Sequence, residues 1–444
     1  MAVPSLQDGI DQAGSAVSLL WKPGSAPWTP EVVEPEYAGW RQEQAAWHDG
    51  VTIADLSHHM SDTFIAGLDA TRLLAAVSAN NYENFAVGQA KQFIPVAEDG
   101  NILTDGILLR TGEQEYILSG VSPAQDWVKY HAAAGGYDVS CETDPPSAWR
   151  GGADPRLFRF QVQGPLAGDL VTRAFGGPLP PARFFHAVPA TLAGRHFRAL
   201  RHNMAGQDGY EFLGDWADGA AVKEALMSAG EPLGLVHIGA LAYPTSGVES
   251  GWIAAPVPAV YTDPALDSYR RWQGLYSFEG QNPLHGSFFS PDIEDYYVSP
   301  WELGYGRSIS LGHDFIGRDA LRAAKDTVRR AKVTLVFDDA DAHTAIPDGR
   351  DMALTNGRYL VTAGPDAAGM VYHTASLAPA GAVLALAVLD KRFAEPGTRV
   401  SVAWGEHPGP GASPEASLEF PRIGATVQPA PYSEHARTAY RAAR

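Results

Sequence analysis

Apolar positions along the chain change period several times, and each change marks an element. Residues 5–21, "SLQDGIDQAGSAVSLLW", space their apolar side chains three and four apart, which predicts a short helix. A Pro-rich extended lead follows, and residues 38–50, "AGWRQEQAAWHDG", return to helical spacing before stopping at Gly50. The run "VTIADLS" (51–57) reads as an apolar strand, and "DATRLLAAVS" (69–78) as a helix with Asp69 at its N-cap. β-branched and aromatic residues mark strands at "KQFIPV", "ILLRTG" and "EYILSG", with "NILTDG" as a turn. Residues 122–136, "SPAQDWVKYHAAAGG", form a helix closed by glycine. A Pro- and Gly-rich loop (144–155) then introduces a second strand-and-helix set that reaches about residue 240.

Strands and helices alternating in pairs imply α+β layers rather than a sandwich. Between 243 and 300 aromatics and prolines crowd together without helical period, and ordered loops are expected there. From Lys332 short β runs ("AKVTLVF", "YLVTAG", "GAVLALAVL", "TRVSVAWG") alternate with turns, which predicts a small β-barrel domain. The expected division is therefore 1–325, with a break near 145–155, and 326–444. No internal repeat is visible, and low complexity is confined to the last few residues.

One short stretch breaks the pattern. In "HNMAGQDGYEFLG" (202–214) Glu211 stands between Tyr210 and Phe212, inside what alternation makes a strand. Glutamate is a poor strand residue. On alternation alone the simplest expectation is a solvent-facing side chain on the polar side of an antiparallel strand.

Composition narrows the function. At 444 residues, 45% hydrophobic and 19% charged, the chain is globular and long enough for two or three domains. A net charge of −18 repels phosphate backbones, which argues against nucleic acid, and no basic amphipathic run suits an anionic membrane. One cysteine, Cys141, excludes an intrachain disulfide and a Cys-rich zinc site. The N-terminus lacks a signal-peptide pattern and no apolar run has membrane-spanning length, so a cytoplasmic location is expected.

Four stretches in this order, "DLSHHM" (55–60), "FQVQGP" (160–165), "AGQDGYEF" (205–212) and "HDFIGRDAL" (313–321), resemble signatures of aminomethyltransferase-fold proteins. "RQEQAAWHDG", "WVKYHAAAGGYDV", "AYPTSGVESGWI" and "IEDYYVSPWELGYG" are similar to the tetrahydrofolate-dependent aromatic O-demethylases of the vanillate and syringate type. That subfamily also includes a methylenedioxy-cleaving, sesamin-converting type. The likeness is dense over about 35–325 and loose over the terminal barrel. It implies three α+β lobes and a C-terminal β-barrel, with tetrahydrofolate as acceptor co-substrate in a central channel, a small aromatic ether as the other substrate, and no metal.

By the same resemblance Glu211 grips the pterin N–H groups, a donor pair that a carboxylate matches. His59 and Tyr243 fall on the demethylases' catalytic histidine and tyrosine. A proton supplied to the departing phenolate lowers the barrier to C–O cleavage. Gln163 falls in the folate channel, and Trp252 is a stacking candidate for the folate or substrate ring. Phe93 stands where T-proteins often have tyrosine, keeping an aromatic wall of the cofactor site without the hydroxyl. Asp105 resembles one of the T-proteins' paired aspartates, but Thr104 replaces the other. Tyr243 stands where T-proteins tend to have arginine, which speaks against an aminomethyltransferase working on a lipoyl carrier. The motif of non-enzymatic folate-binding relatives is absent.

The substrate side departs from the vanillate type. Val121 replaces an arginine suited to a carboxylate, Leu56 replaces a glutamine, and Trp28 and Pro30 stand in place of tyrosines. Burying a benzoate against valine is costly. These positions favour a neutral aryl ether, with methylenedioxy cleavage to a catechol and 5,10-methylenetetrahydrofolate ahead of O-demethylation to 5-methyltetrahydrofolate.

Overall fold

In a computed structural model of the chain, residues 3–202, 204, 206–346, 352–413 and 418–438 are described. The strand Leu157–Gln163 shows how the sequence organises the molecule. Its alternate residues Phe158, Phe160 and Val162 are all buried in one aromatic cluster with Phe197 and Phe212. The helices Ala167–Phe175 and Trp216–Gly230 cover that apolar face. Arg159, Gln161 and Gln163 point the other way, as period-two alternation requires, and they too are buried. A strand apolar on one side and polar yet buried on the other must have something besides water to face.

This strand belongs to a six-stranded sheet ordered Val236–Ile238, Thr52–Asp55, Leu157–Gln163, Gly209–Asp215, Arg195–Leu200, Ala187–Leu192. Only its first pair, Thr52–Asp55 with Val236–Ile238, is parallel. A second, antiparallel sheet runs Ala90–Phe93, Gly106–Gly112, Glu115–Gly120, Ser61–Ala66, Ser140–Asp144. The helices Ala70–Ala76 and Ser122–Ala134 pack with it in the largest apolar cluster. The expected barrel is present and closed, in the order Arg330–Phe337, Ala382–Asp390, Asp366–Leu377, Leu360–Ala363, Arg399–Ala403, Arg422–Gln428. Pairing of its last strand with its first removes the open edges.

Three local expectations change. The N-terminal helix is two helices, Leu6–Ala13 and Ala16–Leu20. Gly14 leaves the first in a left-handed conformation, and Ser15 caps the second through its hydroxyl. Asp69 does occupy the N-cap of Ala70–Ala76, but its carboxylate holds Arg72 and the backbone N–H of Asp138 instead of capping the helix. The stretch after residue 242 is not wholly loop. Ala242–Ser250 is a helix, with Pro244 in its first turn, where a missing N–H costs nothing. That helix carries Tyr243. The C-terminal residues read as low complexity begin outside the described part.

Candidate active site

A cavity of about 630 Å³ opens where the two sheets, the helix Ala242–Ser250 and the barrel meet. Tyr243, Glu211, Trp252 and Asp105 all line it, so elements far apart in sequence converge on one space. A second hollow of about 570 Å³, beside Phe288, Arg330 and Leu360, holds none of the expected residues.

Glu211 is 1% exposed, which overturns the solvent-facing expectation. It lies across the strand pair from Gln161 and forms an ion pair with Arg159. Arg159 also reaches Asp62 at 2.9 Å and the Ser119 hydroxyl at 2.9 Å, and Ser119 donates to Asp62. Burial works against the guanidinium's charge, but Asp62 and Glu211 outweigh it and hold its pKa above the ordinary value. Arg159 therefore stays charged and fixes the Glu211 carboxylate in the cavity wall.

Trp252 donates its indole N–H to both Asp105 oxygens, at 3.0 and 2.9 Å, and Gln92 donates to the same carboxylate. Burial raises the Asp105 pKa, and these donors oppose the shift. The neighbouring Thr104 spends its hydroxyl on the Ala124 N–H at 3.0 Å, near the start of Ser122–Ala134. Asp105 thus orients the Trp252 ring, which leaves the ring's face for a flat ligand.

His59 meets Tyr243 edge-on, with ring centroids 4.9 Å apart. His59 is half-buried as a residue, yet both its ring nitrogens are buried and have no hydrogen-bond partner among the described residues. Burial pushes its pKa down to about 4, against a small upward pull from Asp55. At neutral pH it is an uncharged imidazole, so it offers a lone pair rather than an acidic proton. Burial, reinforced by Glu211, holds the Tyr243 phenol well above its usual pKa, and Arg159 opposes this weakly. Tyr243 is therefore the group here that keeps a proton to donate.

The remaining expected residues stand farther out. Gln163 is buried at the far end of its strand, where its carbonyl accepts from the Thr52 hydroxyl at 3.2 Å. Phe93 is fully buried in the largest apolar cluster, and Leu56 packs with Trp40, Trp47 and Ile238. Val121 is the N-cap of Ser122–Ala134, and Trp28 is 49% exposed. None of these five lines the cavity as described. His58 stacks edge-on against Trp216, in keeping with a structural role.

Gln161 was missed in the sequence. It is fully buried on the polar face, and neither its amide nitrogen nor its oxygen has a partner among the described residues. The signal was present in "RFQVQ", where three polar side chains alternate with buried apolar ones. An amide that both donates and accepts beside an oriented carboxylate matches the mixed N–H and carbonyl edge of a pterin. The cavity volume is also in the range of small-molecule sites. The residues present thus fit a bound folate, which Glu211 and Trp252 in the cavity wall would hold, with Gln161 beside Glu211 on the neighbouring strand. Among the described residues no group of three His, Cys, Asp or Glu side chains is placed to hold a metal, and no helix is long and apolar enough to cross a membrane.

Comparison with known proteins shows the family and the fold. Residues 25–256 match the GCVT N-terminal domain family. The chain is 36% identical to the syringate O-demethylase of Sphingobium sp. strain SYK-6, over 98% of this chain and 97% of that one. It is 28% identical to the sesamin methylene transferase of Sinomonas sp. strain No.22, over 83% and 85% of the two chains. The crystal structure of the glycine cleavage system aminomethyltransferase T from Bartonella henselae superposes with a TM-score of 0.63 over 96% of each chain. At 16% identity that likeness concerns the fold alone. The chain belongs to the tetrahydrofolate-dependent one-carbon transferases of the aminomethyltransferase fold, in the family that includes the aromatic O-demethylases.

Proposed function

We propose that this enzyme removes a one-carbon unit from an aryl ether, and that its first substrate class is the methoxyarenes. The observation that carries the reading is the pairing of a protonated, half-buried Tyr243 with an oriented Glu211 on one cavity. Bound tetrahydrofolate supplies the nucleophilic nitrogen that accepts the carbon.

The protein's own part is positioning and proton supply. Arg159 fixes Glu211, and Asp105 fixes the Trp252 ring, so a flat ligand meets a rigid edge and a rigid face. Tyr243 donates its hydroxyl proton to the departing aryl oxygen. A phenolate released into the same water-poor pocket gains basicity for the reason that Tyr243 does, so donor and acceptor are matched. His59, neutral and edge-on to Tyr243, positions the phenol and offers a nitrogen for returning the proton.

Similarity over nearly the whole chain to an O-demethylase favours methyl transfer. Methylenedioxy cleavage is the second reading. It is supported by likeness to a methylene transferase and by the commitment of Arg159 to two carboxylates, which leaves it unable to neutralise a benzoate. Incubation with tetrahydrofolate and, separately, syringate, a neutral methoxyarene and sesamin tests both. A folate product heavier by a methyl group from a methoxyarene supports the first reading. A methylene product from sesamin alone supports the second. No product from any of the three rejects aryl ether cleavage.

A further inference from the structure

After the last barrel strand, Arg422–Gln428, the chain leaves the barrel and returns to the cavity. Ala430 and Pro431 form part of the cavity wall, and the short helix Glu434–Thr438 follows. Ala436 of that helix is 2% exposed and lies against Gly206, while Pro431 lies against Gly251. Both contacts require glycine. A Cβ on Gly206 would stand 2.7 Å from the Ala436 Cβ, and one on Gly251 would stand 2.9 Å from the Pro431 nitrogen. Both glycines also have φ near +70°, at +67° and +71°, where other residues are strained.

The two glycines occupy informative places. Gly206 lies in the turn that leads into the strand of Glu211, and Gly251 immediately precedes Trp252. The C-terminal segment thus touches both segments that present the folate-facing residues. Its hydrogen bonds are its own. Arg437 Nη1 donates to the carbonyls of Pro431 and Tyr432, each at 2.7 Å, the Arg437 N–H donates to the Ser433 carbonyl at 3.2 Å, and Thr438 donates to the Glu434 carbonyl at 2.9 Å. Among the described residues 430–438 meet the rest of the molecule through apolar contact without hydrogen bonds. A segment tied internally and held to the body by little else moves as a unit, at low free energy.

We propose that residues 430–438 are a strap that opens to admit ligands and closes over the cavity when they are bound, so that its fit sets how tightly both are held. This rests on the aryl ether and folate reading above. Closure brings Ala430 and Pro431 against the ligands and excludes water from the Tyr243 hydroxyl, which strengthens its interaction with the leaving oxygen.

Limited trypsin digestion of the full-length protein tests it. Cleavage after Arg437, followed by mass, is measured with no ligand, with tetrahydrofolate, and with tetrahydrofolate plus syringate, while calorimetry records tetrahydrofolate binding. The expected result is cleavage slowed by about fivefold or more when both ligands are present. Cleavage at one rate under all conditions, with binding intact, overturns the strap and leaves the functional reading standing. Absence of tetrahydrofolate binding overturns both. In parallel, Ala436→Glu places a charge in the buried contact. It is expected to raise KM for both substrates about fivefold, to change kcat less than about threefold, and to make cleavage indifferent to ligands. Wild-type KM values in a folded Ala436→Glu protein would overturn the proposal.

Discussion

Two buried polar groups of residues in this molecule meet the same physical demand in opposite ways. Away from the cavity, Glu279 accepts the Tyr269 hydroxyl at 2.6 Å and the Gln273 amide at 3.0 Å on each oxygen. Gln273 also donates to Asp126 at 3.0 Å, and Lys129 pairs with Asp126 at 2.6 Å. Beside Tyr243 the ring nitrogens of His59, and beside Glu211 the amide of Gln161, have no such partners among the described residues. A buried polar atom left unpaired costs roughly 1–3 kcal/mol. The first group avoids that cost with the protein's own atoms and serves the fold. The second leaves these atoms without a protein partner beside Tyr243 and Glu211, where a ligand or water can meet them.

The sharpest way to break the comparison is Tyr243→Phe. It removes a proton donor but no internal hydrogen bond, so kcat should fall by about 10²–10⁴-fold. The thermal midpoint should stay put. Turnover near that of the wild type would reduce Tyr243 to a wall residue. Glu279→Leu should do the reverse, costing about 3 kcal/mol in urea denaturation because Tyr269 and Gln273 lose their acceptor, with little effect on kcat of the folded fraction.

Acid should separate the two groups next. Burial pushes the His59 and His373 pKa values down to about 4, from 6.5 in an unfolded chain. Between those values the unfolded chain binds more protons than the native one, so stability is full above pH 6.5 and falls as pH drops toward 4. Each histidine contributes at most about 3 kcal/mol to that loss. Burial and Asp126 raise the Glu279 pKa, so Glu279 acts in the opposite sense, favouring the fold at low pH and losing that contribution as pH rises through its folded value. Urea midpoints across this range should therefore decline less steeply in His59→Asn than in wild type. A pH slope unchanged in the variant would show that His59 is not held neutral by the fold.

The smallest expected effect is also the most diagnostic in sign. Gln161→Leu replaces two unpartnered polar atoms with apolar ones, and should raise stability by about 1 kcal/mol while weakening tetrahydrofolate binding by roughly tenfold. Calorimetry and denaturation on one preparation would read both. A loss of stability would mean that Gln161 serves the fold, as Glu279 does.

The sequence was most legible where one face of an element meets one kind of environment. The helix read at 122–136 is Ser122–Ala134, and the barrel was visible in four β-rich runs. Two barrel strands escaped. Asp366–Leu377 begins with Asp, Ala, Ala and Gly, and its register shifts between Val371 and His373, so no alternation shows. Arg422–Gln428 alternates Gly and Thr with its buried residues, which reads as a turn-rich tail. At the site, the resemblance picked out Glu211, Tyr243 and Trp252, which the fold brings to one cavity. The ion pair behind Glu211 was not readable, because Arg159 and Asp62 reach it from strands of different sheets. Trp252 looked like a stacking surface alone. Its bond to Asp105, which lies 147 positions away, is a tertiary fact.

The parallel pair in the six-stranded sheet bears on how the chain is made. Thr52–Asp55 is flanked by strands beginning at residues 157 and 236, so it leaves the ribosome long before either neighbour exists. At about 5–20 residues per second, the wait for the second neighbour is on the order of ten seconds or more. Through that interval both edges of an apolar strand are open to other chains, and its length of four residues limits the hazard. The strand pair that holds Arg159 and Glu211 is complete only once residue 215 has emerged, and Ala430 and Pro431 emerge later still. Yield of active protein should therefore depend on translation speed and chaperone supply, with slower synthesis lengthening the exposure and chaperones offsetting it.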